Sequence, residues 1–225
     1  TFLRELCRFR PNVAGFHHQL GRFLANNNEK AAAIDEYQLA LALYTTAKDY
    51  WSIAGLHSSL ANLLADAKRY DEALKHYREA VRMNPTDMER QFMLGNFLIT
   101  LQRWDEAVLI LQNVVKIQSA WDGAFFNIGL AYLNLESPSE AVEPLRQAVQ
   151  LNPDAANYHG MLGRALSALG NHKEAVIHFE QALTIEPGYF DTRTDERIIW
   201  ENSKATLRSK IKPKPATPAS AVPKQ

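Results

Sequence analysis

Cysteine is all but missing. Cys7 is the single example in 225 residues, so no disulfide closes within the chain, no thiolate cluster can be assembled, and the redox compartment stays open. An excess of either charge is missing too: lysine plus arginine and aspartate plus glutamate both number 25. A general nucleic-acid binder needs a basic surface to displace phosphate counterions, and a neutral chain supplies at most a local patch. Long apolar runs are absent. The longest nearly uncharged one, residues 92–101, falls far short of the roughly 20 residues that cross a bilayer. The glycines are isolated, which excludes a glycine-rich phosphate loop. The histidines (His17, His18, His57, His76, His159, His172 and His178) show no His-Glu-x-x-His spacing, so packed or surface roles are expected and no metal site is. Carboxylates are scattered, and no acid/base pair stands out. The expectation is a chain that is not an enzyme and carries no cofactor.

What the chain has is repetition. Residues 54–87 read as two short amphipathic helices around a break at Ala67, Lys68, Arg69 and Tyr70. Leu60, Ala61 and Leu64 mark the first helix, Ala73, Tyr77 and Ala80 the second, and Pro85 closes it. In steps of 34 residues, Ala61 is followed by Gly95, Gly129 and Gly163, and Ala73 by Ala107, Ala141 and Ala175. Tyr77 returns as Leu111, Leu145 and Phe179, and Ala80 as Val114, Ala148 and Ala182. Pro153 and Pro187 repeat Pro85, with Ser119 the exception.

Small and large residues returning together on this clock resemble the tetratricopeptide repeat family, whose unit is a 34-residue helix-turn-helix. The resemblance implies an all-α fold: a right-handed α-solenoid of stacked helix-turn-helix repeats, a binding architecture. Full repeats are expected at 14–53, 54–87, 88–121, 122–155 and 156–189. The first runs six residues long, since Gly21 lies 40 residues before Ala61, and its second helix is expected to extend through residues 45–53. Tyr50 and Trp51 would pack at that joint or serve a partner site. Residues 2–11 align on 76–85 as x-x-Arg-Glu-x-x-Arg-x-x-Pro, so 1–13 reads as the second helix of a truncated upstream repeat, an excerpt from a longer protein. Pro144 falls in the first two turns of its helix, where a mild kink at most is expected. Residues 190–210, with Ile198, Ile199, Trp200 and Leu207, read as a capping helix. Residues 211–225, with Pro213, Pro215, Pro218 and Pro223, read as a disordered tail or linker.

The family's concave surface is lined mainly by first helices, so the resemblance points to residues beside the packing positions. The candidate peptide-binding residues are His18 and Arg22, then Asn62, then Phe92, Met93 and Asn96, then Phe126, Asn127 and Leu130, then Met161 and Arg164; Gln19, Ser58, Ser59 and Gly160 share that face. Asparagine offers donors and an acceptor to an extended backbone. Methionine and phenylalanine give an adaptable apolar floor, and the arginines add charge. The alternative is that Phe92 and Phe126 pack between repeats and the asparagines satisfy helix surfaces.

Family members that grip a chaperone's C-terminal carboxylate use lysine, asparagine and arginine at set positions. Only Asn62 matches; Ser58, Met93, Gly123 and Asn127 replace the rest, so that ligand is not expected. The expected function is a protein–protein interaction scaffold. A second reading is the non-catalytic, substrate-recruiting arm of a larger enzyme such as a glycosyltransferase, or of a membrane-associated assembly. Asparagine ladders in such arms keep strict register, whereas Asn62 and Asn96 share one register and Asn127 another. A third is a homo-oligomer joined through the N-terminal half-repeat.

Overall fold

A small residue on one helix faces a large one 16 positions later on the next, and this pairing sets how each hairpin closes. A Cβ on Gly95 would lie 2.6 Å from Leu111 Cδ2, and one on Gly21 would lie 2.5 Å from the Tyr37 ring, so the two backbones approach only because glycine stands there. The computed structural model describes residues 2–47 and 50–210 and, at 50, 51 and 210, the backbone alone. The roles expected of the Tyr50 and Trp51 side chains and of the tail at 211–225 therefore lie outside the described residues. Those residues hold twelve helices and no strand. They divide into two units, Thr1–Ser119 and Ala120–Gln225.

The first unit comprises α1 (Phe2–Phe9), α2 (Ala14–Asn26), α3 (Lys30–Ala47), α4 (Tyr50–Asp66), α5 (Tyr70–Met83), α6 (Met88–Thr100) and α7 (Trp104–Ile117). The pairs α2/α3, α4/α5 and α6/α7 form hairpins, α3 stacks on α4 and α5 on α6, and α1 lies against α2. The core is the periodic set from the sequence, including Leu20, Leu24, Tyr37, Leu60, Ala61, Leu64, Tyr77, Leu98 and Leu111, all buried. The spacing predicts extra length in α3 alone. In the structure both helices that meet there are long, 18 residues in α3 and 17 in α4 against 14 in α5 and 13 in α6, and residue 54 falls inside α4.

The second unit comprises α8 (Asp122–Asn134), α9 (Pro138–Leu151), α10 (Ala156–Ala168), α11 (His172–Ile185) and α12 (Thr194–Lys210). The hairpins α8/α9 and α10/α11 stack, and α12 lies against α10 and α11. The core gathers Leu133, Leu145, Leu162, Leu166, Phe179, Tyr189 and Phe190. Pro138 opens α9 at its first turn, where a missing donor costs little, and the helix runs unbroken through Pro144. Polar groups as well as apolar ones seat α12. Ser203, fully buried, lies 2.9 Å from Ser167 Oγ and 3.2 Å from His172 Nδ1, and the Tyr189 hydroxyl donates to buried Glu196. Trp200 packs 5.2 Å from Phe190 under Lys204 Nζ, whereas Ile198 points outward.

Two local devices recur. Each turn from a first to a second helix has one residue in the left-handed region: Asn28, Lys68, Gln102, Glu136 and Gly170, with φ of 61°, 59°, 57°, 55° and 76°. The next amide reaches back five residues, as from Arg69 to Leu64 at 2.8 Å and Arg103 to Leu98 at 2.9 Å, which satisfies a terminal carbonyl. The second device is a side chain in the first turn of a first helix that bonds the proline carbonyl six residues back. His17 meets Pro11 O at 2.9 Å, His159 meets Pro153 O at 3.0 Å, and the Gln91 amide donates to Pro85 O.

Candidate functional site

In the first unit three of the expected residues converge. Asn62 projects from α4, and Met93 and Asn96 from α6, one repeat later. With Tyr77, Phe97 and Thr100 they line a cavity of about 260 Å³. Met93 also borders a second cavity of about 190 Å³, lined by Gly55, Ser58, Asp87, Glu89 and Arg90. The Tyr77 hydroxyl donates to Asn62 Oδ1. Burial, and then the Asp66 charge, push the Tyr77 pKa up to about 12, so at neutral pH the phenol keeps its proton and its donor role. With its oxygen so engaged, Asn62 presents its amide hydrogens. The Tyr77 ring packs on Phe97 with centroids 4.8 Å apart, giving the cavity an aromatic wall. Arg90 pairs with Asp87, which caps α6 by accepting from the Arg90 amide at 3.1 Å, so the charges of that pair offset each other and Glu89 leaves the second cavity acidic on balance. Phe92 is half-buried on the same helix.

The other expected residues of this unit lie elsewhere. His18 stands edge-on between Tyr37 and Tyr44, with ring centroids 5.8 and 6.1 Å away, and burial followed by the nearby Arg22 lowers its pKa. Arg22 is exposed. Neither lines the two cavities.

In the second unit Phe126 stacks on Tyr158 at 4.7 Å and 23°, and the Tyr158 hydroxyl donates to Asp122 at 3.0 Å. Phe126 and Met161 both pack against the core. Asn127 and Leu130 are half-buried on α8. Arg164 opens on a different cavity, about 500 Å³, lined by Thr192, Arg193, Thr194, Asp195, Glu196 and Ile199. Spacing alone does not mark Phe97, Asp87 or Arg90, and it marks Tyr77 for packing and not for the site. Tyr77 has the signature of packing, and its hydroxyl is what adds a polar role. The one group with metal-ligand chemistry among the described residues, Cys7, His17 and Glu36, belongs to α1, α2 and α3. No helix among the described residues is long and apolar enough to cross a membrane.

Two family profiles, both described as tetratricopeptide repeat, match residues 64–121 and 126–190, together more than half of the chain. Among solved structures, YrrB, described as a TPR protein with an unusual peptide-binding site, superposes with a TM-score of 0.71. It is 20% identical, and the match covers 90% of this chain and 97% of YrrB. MamA from Desulfovibrio magneticus RS-1 gives 0.68 at 20% identity, over 78% of this chain and 96% of its own. No curated protein sequence matches the chain. At these identities the structural likeness establishes the fold, which in general serves as a protein-binding scaffold. With the family profiles, the 34-residue clock and the stacked hairpins in agreement, the chain belongs to the tetratricopeptide repeat family.

Proposed function

We propose that the first unit binds an extended segment of a partner protein across α4 and α6. The observation that carries this reading is the convergence of Asn62, Met93 and Asn96 on one cavity with an aromatic wall. Asparagine amides at a 34-residue interval suit the backbone of an extended peptide, whatever its sequence. Met93 and Phe97 supply an apolar floor, and the Asp87, Glu89 and Arg90 cavity beyond Met93 takes a polar or charged side chain. Each amide contact is worth about 1 kcal/mol net. A few kcal/mol from apolar burial, offset by ordering costs, gives a Kd in the micromolar range. Such affinity suits reversible scaffolding.

Pulldown with mass spectrometry, comparing the intact chain with the double variant Phe92→Ala/Asn96→Asp, tests the reading once circular dichroism shows both folded. The expected result is loss of one defined partner set. A peptide from that set should bind with micromolar Kd by fluorescence anisotropy and at least tenfold more weakly to Asn96→Asp, a loss of about 1.4 kcal/mol. An unchanged partner set would remove the site from this surface.

A further inference from the structure

Three donor side chains from three helices meet in the first unit, away from both cavities. Cys7, His17 and Glu36 hold their sulfur, ring-nitrogen and carboxylate atoms within 4.8 Å of one another. Cys7 and His17 are buried, and the Glu36 side chain keeps 26% of its surface, so the group is closed behind and reaches solvent through the carboxylate.

The His17 ring is oriented from behind. Its Nε2 lies 2.9 Å from the Pro11 carbonyl, which only accepts, so Nε2 carries hydrogen. Nδ1 then faces Glu36 Oε2 at 2.6 Å. A neutral imidazole in that tautomer would turn a lone pair on a carboxylate, so a cation belongs between them, either a proton or a metal ion. The joint to the proline carbonyl is shared with two other repeats, where Gln91 and His159 make it, but what faces Nδ1 is particular to this one. At His159 it is another imidazole, that of His178. A histidine whose far nitrogen donates to a backbone carbonyl is held as metal-ligating histidines usually are.

We propose that Cys7, His17 and Glu36 bind a zinc-class transition-metal ion, with solvent as fourth ligand, and that the ion clamps α1 to the first hairpin. One sulfur, one nitrogen and one oxygen donor suit a borderline ion such as Zn²⁺ and do not suit Ca²⁺ or Mg²⁺, which take oxygen ligands. Tetrahedral bonds of about 2.0–2.3 Å put ligands roughly 3.5 Å apart, so small side-chain movements complete the site. Binding sends the thiol proton, and the proton on Nδ1 where present, to solvent; no electron is transferred. The sequence gives no expectation of a metal because its motifs are local, whereas these ligands come from separate helices, with His17 and Glu36 19 positions apart.

Titration of the reduced chain, residues 1–225, with Co²⁺, read by absorption, tests this. Cys7 is the only cysteine, so a thiolate-to-cobalt charge-transfer band reports this site whatever the other histidines bind. The expected band saturates at one Co²⁺ per chain, is bleached by Zn²⁺, and disappears in Cys7→Ala. His17→Gln copies the residue the chain itself uses at Gln91, so it keeps the carbonyl joint while weakening Co²⁺ binding at least tenfold. Glu36→Gln, nearly isosteric at a partly exposed position, should weaken it similarly with an unchanged circular dichroism spectrum. No band at one equivalent, a band indifferent to both variants, or saturation at one ion per two chains would overturn the proposal.

Discussion

Phe179→Ala is expected to remove about 3–5 kcal/mol of folding free energy. The ring is fully buried over Gly163, where an added Cβ would lie 3.0 Å from its carbons, and so fills the space that glycine opens at the α10/α11 crossing. Its centroid is 6.0 Å from that of Phe190, which in turn carries Trp200 of α12. Truncation thus leaves a cavity in the hairpin and loosens the support of the terminal helix. Neighbours cannot close in cheaply, because Ala175 and Ala182 on the same helix are already at full burial with nothing to extend. Urea unfolding followed by circular dichroism measures the loss. Ile177→Ala, two residues away and 55% exposed, is the control and should change stability by no more than about 0.5 kcal/mol. A loss below about 1.5 kcal/mol for Phe179→Ala would mean that the crossing collapses around the missing ring.

The second large effect is acid lability from two histidine pairs. His57 and His76 bring Nδ1 atoms to 2.7 Å, and His159 and His178 to 3.0 Å. Burial and the facing imidazole push His57 and His178 down to about 4. Glu79 opposes the shift at His57 while Arg82 reinforces it; Glu174 opposes it at His178 while Arg146 reinforces it. A depressed folded-state pKa means that the fold favours the neutral ring. The stabilisation is complete above the ordinary value of 6.5 and is lost as pH falls from there toward about 4. At about 1.4 kcal/mol per pH unit, discounted for partial exposure, each pair loses about 1–2 kcal/mol between roughly pH 7.5 and 5. Glu196 slopes the other way: burial raises its pKa, so its contribution is full below the ordinary carboxyl value and fades as pH rises through the folded value. A variant is therefore needed to isolate the histidines. His159→Gln/His178→Ile reproduces the pair that the chain carries at Gln91 and Ile110, and should flatten the difference between the two pH values by about 1–2 kcal/mol in urea unfolding. Equal pH dependence in both proteins would refute the assignment.

The repeat clock was legible because sterics write it into composition. A crossing with room for no more than a methyl group selects glycine or alanine, and glycine alone where even a Cβ would clash, while the facing position must be large, so Gly95 with Leu111 and Gly129 with Leu145 announce themselves. The sharing of added length between α3 and α4 was not legible, since a continuing apolar stripe does not say at which residue a helix stops. Nor was the polar seating of α12: Ser203 and Glu196 are unremarkable letters until Ser167, His172 and Tyr189 are found opposite them. On the expected binding face, Asn62 and Asn96 converge, being one repeat apart on adjacent first helices. Phe126, one repeat after Phe92, meets Tyr158 and joins the core, a contact set by the following repeat and invisible in a single one.

The left-handed turns have an engineering consequence. Four of the five turn positions carry a side chain in a conformation that costs a non-glycine residue about 1 kcal/mol, partly offset by the lower entropy of the unfolded chain, and none of these residues borders the α4/α6 cavities. Stiffness and recognition are therefore written at separate addresses. Selection, or a designer, can retune the thermal tolerance of each hairpin at its bend and leave the vocabulary of the proposed ligand surface unchanged.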